Sequence, residues 1–230
     1  MRETPRQLTF DLPLDPRFGR EDFLVSPSNE QAYARIESWP AWNDTVLLLN
    51  GPRGSGKSHL AAIWAAAAHA WTVDAFEIVS EKVPHLISNG ALAIEDIDRA
   101  DRDEAALFHL LNLAREKRAF VLLTCEKSPD NWGLRTADLL SRLRLAPSVS
   151  IGAPDDALLK AVLVKLFVDR QLVVDTSVVD YIALRIERSL AKADEFVTIL
   201  DKEALSRGRR VSRAMAAEIL GASQEMDEIE

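Results

Sequence analysis

The stretch "GPRGSGKS" at 51–58 gathers three glycines, a lysine and two serines and fits the spacing G-x-x-x-x-G-K-[ST] in full. That pattern suits phosphate chemistry. Gly51, Gly54 and Gly56 let the backbone curl until its N–H groups point inward at phosphate oxygens. A helix opening directly after the loop adds the positive end of its dipole. Lys57 can reach the β- and γ-phosphates, and the Ser58 hydroxyl can bind Mg²⁺. The phosphate-binding candidates are therefore Gly51, Pro52, Arg53, Gly54, Ser55, Gly56, Lys57 and Ser58, with His59 following.

A second set of polar residues stands at the ends of apolar runs. Glu95 and Asp96 end "ALAIED" (91–96), about 40 residues beyond the glycine-rich loop. A carboxylate there can join Ser58 in a Mg²⁺ shell while its neighbour orients water, which makes Glu95 and Asp96 the candidate metal carboxylates. Thr124 ends "AFVLLT" (119–124) and could sit beside the γ-phosphate and the attacking water, so Asp96 and Thr124 are the candidates for handling that water. Asp98 is expected at the surface. Cys125 has no histidine near it in a motif and is expected to pack rather than react.

These residues need a scaffold, and the hydrophobic pattern supplies one. "TVLLLN" (45–50), "WTVDAF" (71–76), "ALAIED" (91–96), "AFVLLTC" (119–125) and "SVSIGA" (148–153) read as strands. Helical segments alternate with them at 26–39, where Ser28 or Asn29 can cap, at 58–70 and at 103–117. Unalternated apolar strands separated by helices predict an α/β fold with a parallel sheet covered on both faces. After Pro154 the pattern changes to four consecutive helical segments with no strand between them. The expected organisation is an N-terminal tail (1–20), an α/β nucleotide-binding domain (21–154), a small helical lid domain (155–222) and an acidic tail (223–230).

Composition narrows the function classes. With 28 basic against 36 acidic residues the net charge is −8, which argues against gripping nucleic acid through a broad basic surface. A single cysteine allows no internal disulfide. "HLAAIWAAAAHAW" (59–71) is too short to span a bilayer, and the N-terminus has no secretory pattern, so the cytoplasm is the expected location. The tail raises its own question. "QLTFDL" (7–12) places Leu8, Phe10 and Leu12 in a polar, proline-punctuated segment with no hairpin partner. An edge strand docked on the chain's own core would bury them; so would a groove on another protein.

Taken together, "FLVSPSNEQAYARI" (23–36), "LLLNGPRGSGKSHL" (47–60), "LAIEDIDR" (92–99), "LLTCEKSPDNW" (122–132) and "DLLSRLRLAPSVSIGAPDDALLKAVL" (138–163) resemble the AAA+ ATPase domain of the bacterial replication initiator DnaA. More closely, they are similar to the short DnaA-homologous regulators of the Hda (HdaA) family. The resemblance covers most of 21–222 and implies an AAA+ core with a helical lid and ADP or ATP with Mg²⁺ as ligand. It implies a regulator that suppresses re-initiation by stimulating hydrolysis of DnaA-bound ATP. In that family a short N-terminal motif binds the DNA polymerase III sliding clamp (beta subunit), and Gln7, Leu8, Phe10 and Leu12 match its key positions. Arg142, in "LSRLR" (140–144), matches the family's arginine finger, with Arg144 as the rival in register. The implied partners are thus the clamp and DnaA, and nucleotide sites at AAA+ subunit interfaces admit a homo-oligomer. The chain departs from the family in three places. Glu95 then Asp96 stand where Asp plus a second polar residue is usual, so strong hydrolysis by the chain itself is not implied. The nucleotide-contacting arginine of DnaA-like lids falls on Ala193, with Lys192 and Arg188 nearby. The extra helices with which DnaA engages single-stranded DNA have no counterpart in the short segment between the loop and the acidic strand. The rival readings are a helicase-loader or clamp-loader type of ATPase and an adaptor that holds nucleotide without hydrolysing it.

Overall fold

The computed structural model describes residues 18–99 and 102–227, the side chains of 222–227 excepted. Residues 7–12, and with them the tail motif, lie outside the described residues. The chain divides into two compact units, Arg17–Ala153 and a second that begins at Pro154.

The first unit is built on five parallel strands: β1 (Val46–Asn50), β2 (Trp71–Asp74), β3 (Ala91–Glu95), β4 (Phe120–Cys125) and β5 (Ser148–Ser150), in the order β2-β3-β4-β1-β5. The expected parallel α/β sheet is present. Its three inner strands are apolar at almost every position because helices cover both faces. Successive side chains alternate between those faces. Val46, Leu48, Leu92, Ile94, Val121 and Leu123 pack on one side, with Leu107, Leu110 and Leu111 of helix α4 (Glu104–Lys117) and Leu139 and Leu143 of helix α5 (Ala137–Leu145). Leu47, Leu49, Ala91, Ala93 and Leu122 face the other side. There they meet Ile36 of α1 (Glu30–Glu37) and Leu60, Ile63 and Trp64 of α2 (Lys57–Ala68). A short helix, α3 (Val83–Leu86), follows β2, where the sequence announced no element.

Strand β1 carries the functional consequence. It lies between β4 and β5, so the chain departs toward one edge after β1 and toward the other after β4. In open α/β sheets the crevice beyond the carboxyl ends of the strands at such a reversal is where ligands bind. The glycine-rich loop occupies that place.

The second unit contains α6 (Asp156–Asp169), α7 (Thr176–Ala183), α8 (Leu190–Arg207) and α9 (Arg213–Asp227). Asp155, Asp175 and Ser189 cap the first three, each accepting a backbone N–H in the first turn. Leu163, Phe167, Ile182, Val197, Leu200 and Met215 form their common core. Helix α9 continues to Asp227, so the helix extends past 222 into the acidic residues expected to form a separate tail.

Candidate functional site

The loop 51–56 turns between β1 and α2 through two left-handed glycines, Gly54 (φ 70°) and Gly56 (φ 104°). Gly51 is held under the end of β4 by donating its N–H to the Cys125 carbonyl at 3.1 Å. Lys57, the first residue of α2, is 6% exposed, and its ammonium donates to the carbonyls of Gly51 (2.8 Å) and Pro52 (3.0 Å). The cation is thereby fixed at the mouth of the loop. Ser55 is buried, and its hydroxyl has no hydrogen-bond partner among the described residues. A buried hydroxyl normally finds an acceptor; a phosphate oxygen in the loop would be one. His59 is turned elsewhere. Its Nε2 lies 2.9 Å from the Gly19 carbonyl oxygen and its ring meets Phe18 and Phe23 edge-on, so it ties residues 18–23 to the start of α2.

Across the crevice, Ser58 Oγ donates to Glu95 Oε2 at 2.5 Å. The pair from 37 residues apart forms a hard-oxygen donor set suited to Mg²⁺. Asp96 points another way: the chain turns there with φ 51°, and its carboxylate pairs with Arg99 at 2.8 Å. Thr124 is fully buried, and its hydroxyl accepts the Asp96 N–H at 3.0 Å, so it sets the backbone that carries the acidic pair. Asp98, expected at the surface, is half-buried and accepts the N–H groups of Glu126 and Lys127, both at 3.0 Å. It pins the loop after β4 to the loop after β3. Burial pushes the Cys125 thiol up to about 12, which suits a packing residue and not a nucleophile.

The two candidate finger arginines differ in surroundings. Arg144 is held by Asp130, its Nε donating at 2.7 Å. The half-buried Arg142 lies over the Phe108 ring, 4.9 Å from its centroid, and meets no carboxylate among the described residues. Two residues that sequence reasoning missed stand behind it, Phe108 and Glu104, both on α4. Glu104 accepts the N–H groups of Arg135 (3.0 and 3.1 Å) and Thr136 (2.9 Å) just before α5.

The chain matches no protein-family sequence model. Its structure is similar to domain III of the replication initiation protein DnaA from Thermotoga maritima, with a TM-score of 0.75 at 18% identity, over 92% of this chain and 98% of that one. It is also similar to AMPPCP-bound DnaA from Aquifex aeolicus (TM-score 0.69, 18% identity, 84% of this chain and 67% of that one). The RuvB Holliday junction branch migration motor of Thermotoga maritima gives a TM-score of 0.68 at 17% identity, over 85% and 68% of the two chains.

The fold is the AAA+ fold.

Within this AAA+ architecture the loop, Lys57, Ser55, Ser58 and Glu95 fit a nucleotide phosphate chain with its Mg²⁺ in chemistry and placement. In the helical unit Ala193 is fully buried in α8 and presents no charge. Arg188 and Lys192 are exposed and paired with Asp156 (2.9 Å) and Glu195 (3.0 Å). No described helix is long and apolar enough to cross a membrane.

Proposed function

We propose that this chain is a nucleotide-binding regulator of replication initiation. In this reading it binds ADP or ATP with Mg²⁺ in the 51–58 loop, docks on the DNA polymerase III sliding clamp through residues 7–12, and stimulates hydrolysis of DnaA-bound ATP in trans through Arg142. The observation that carries the reading is the contrast within α5: Arg144 is tied to Asp130, whereas Arg142 stacks on Phe108 without a carboxylate partner among the described residues. A planar guanidinium with five N–H donors, held away from carboxylates, is suited to charge on a neighbour's transferring phosphoryl group. Such a group contributes about 10³–10⁵ in rate when supplied from a second protein. The AMPPCP-bound DnaA with this fold supports an adenine nucleotide in the loop. Mg²⁺ there would neutralise phosphate charge; Ser58 and Glu95 would hold it.

The chain's own site supports retention of nucleotide better than rapid turnover. Asp96, in the place where a carboxylate would orient water, is engaged by Arg99. The net charge of −8 supports reaching DNA through the clamp and not by direct contact. Tethering there would raise the local concentration of the regulator near newly replicated DNA.

The test is the hydrolysis rate of DnaA-bound ATP on clamp-loaded DNA with the intact chain, with Arg142→Ala and with residues 7–12 deleted. Acceleration by the intact chain alone is expected. Acceleration that survives Arg142→Ala would replace the finger with a nucleotide-holding adaptor. No acceleration, together with rapid ATP turnover by the chain itself, would favour a loader-type ATPase.

A further inference from the structure

We propose that α4 sets the aim of Arg142, with Glu104 fixing where α5 begins and Phe108 cradling the guanidinium. Both are positioning residues, and their catalytic consequence rests on the trans reading of Arg142 given above. Glu104 and Phe108 are four residues apart on a helix and so share one face. From that face Glu104 takes the N–H groups of Arg135 and Thr136, the residue that precedes α5, and its negative charge sits beside the positive end of α5. One turn further along, Phe108 lies under Arg142, which is six residues into α5. Leu139, between these two contacts, and Leu143, just beyond Arg142, bury the inner side of α5 in the core to which α4 also contributes.

Helix α5 is thus held at its start and at the arginine by two side chains of one helix, while Leu139 and Leu143 anchor it in the shared core. The ring face attracts the cation without consuming its N–H donors, which lie in the guanidinium plane. An ion pair would hold the side chain as well but would compete with a phosphate, as Asp130 does at Arg144. A second cluster braces the same segment. Arg102, 9% exposed, donates to the carbonyls of Arg99 and Trp132 and lies 5.7 Å from the centre of the Trp132 ring, fixing the chain just before α4 to the loop leading into α5.

The experiment pairs a structural and a kinetic readout on Phe108→Leu, which keeps apolar bulk but removes the ring. The Arg142 Nε–H resonance, assigned by its loss in Arg142→Lys, is expected to carry a ring-current shift in the wild type and to lose it in Phe108→Leu. An unchanged resonance overturns the proposal whether or not the chain acts on DnaA. In the DnaA-bound ATP assay, Phe108→Leu is expected to lower the maximal rate about tenfold with an unchanged half-saturating concentration. Phe108→Trp should restore it, and the Phe108→Leu/Arg142→Ala double variant should equal Arg142→Ala alone. A wild-type maximal rate in Phe108→Leu, or losses that add in the double variant, contradict the positioning role. A resonance that moves while the wild-type chain fails to accelerate hydrolysis leaves the cradle standing and removes the trans reading.

Discussion

At Gly51 an added Cβ would lie 2.4 Å from the Ile151 carbonyl oxygen and 2.5 Å from its Cγ2, inside any real contact distance. Gly51→Ala must therefore push β1 and the end of β5 apart, and a loss of about 1–3 kcal/mol is expected in urea unfolding. Lys57→Ala removes the ammonium that the Gly51 and Pro52 carbonyls fix at the mouth of the loop, and calorimetry should show nucleotide affinity falling roughly 10–100-fold. Wild-type affinity in that variant would mean the phosphates lie elsewhere. At this scale the loop itself was legible, because its function is fixed by spacing within eight residues. The surroundings of Asp96 and Thr124 were not: the hydroxyl that accepts the Asp96 N–H comes from 28 residues away. His59 shows the same limit. Its position after the loop suggests ligand contact, whereas tertiary packing turns it onto Gly19, Phe18 and Phe23.

Among the elements, α4 and α5 give a pH prediction. Burial alone would raise the Glu104 carboxyl, but the N–H groups of Arg135 and Thr136, with Arg102 nearby, outweigh it and hold the group below its ordinary 4.5. A lowered folded value contributes stability above the unfolded value that is lost as pH falls through the folded one. Wild type should therefore exceed Glu104→Gln in thermal stability at neutral pH, and the gap should close on acidification below about 4.5. A gap that stays constant with pH would show that the carboxylate charge is not what holds the start of α5. In the helical unit, Asp155 accepts the Leu158 N–H at 2.8 Å, and Asp155→Ala should cost about 1 kcal/mol of stability. Buried strands were legible because β1, β3 and β4 are apolar on both faces, and helices because their apolar residues recur at helical spacing. Edge strands were read too long: β2 and β5 end at Asp74 and Ser150, where only one neighbour supports them. The α4–α5 brace left no trace in the sequence, since Glu104 and Phe108 find their partners 31 to 34 residues on.

On the scale of the whole molecule, a chain of 230 residues with a net charge of −8 comprises an AAA+ sheet unit and a second unit with four helices among the described residues. Composition gave the charge and the hydrophobic pattern the class of fold; the likeness to DnaA domain III at 18% identity gives the fold and leaves the activity to experiment. The central claim is that ATP on DnaA is consumed through a residue of this chain, while this chain's own site mainly retains nucleotide. A single-turnover measurement decides it most directly. DnaA loaded with γ-labelled ATP is mixed, on clamp-loaded DNA, with this chain carrying unlabelled ADP, and released label is followed over time. The account predicts rapid release with the wild type and near-background release with Arg142→Ala, a difference of about 10³-fold or more. Release at the background rate with the wild type, or equal release with both proteins, would contradict it.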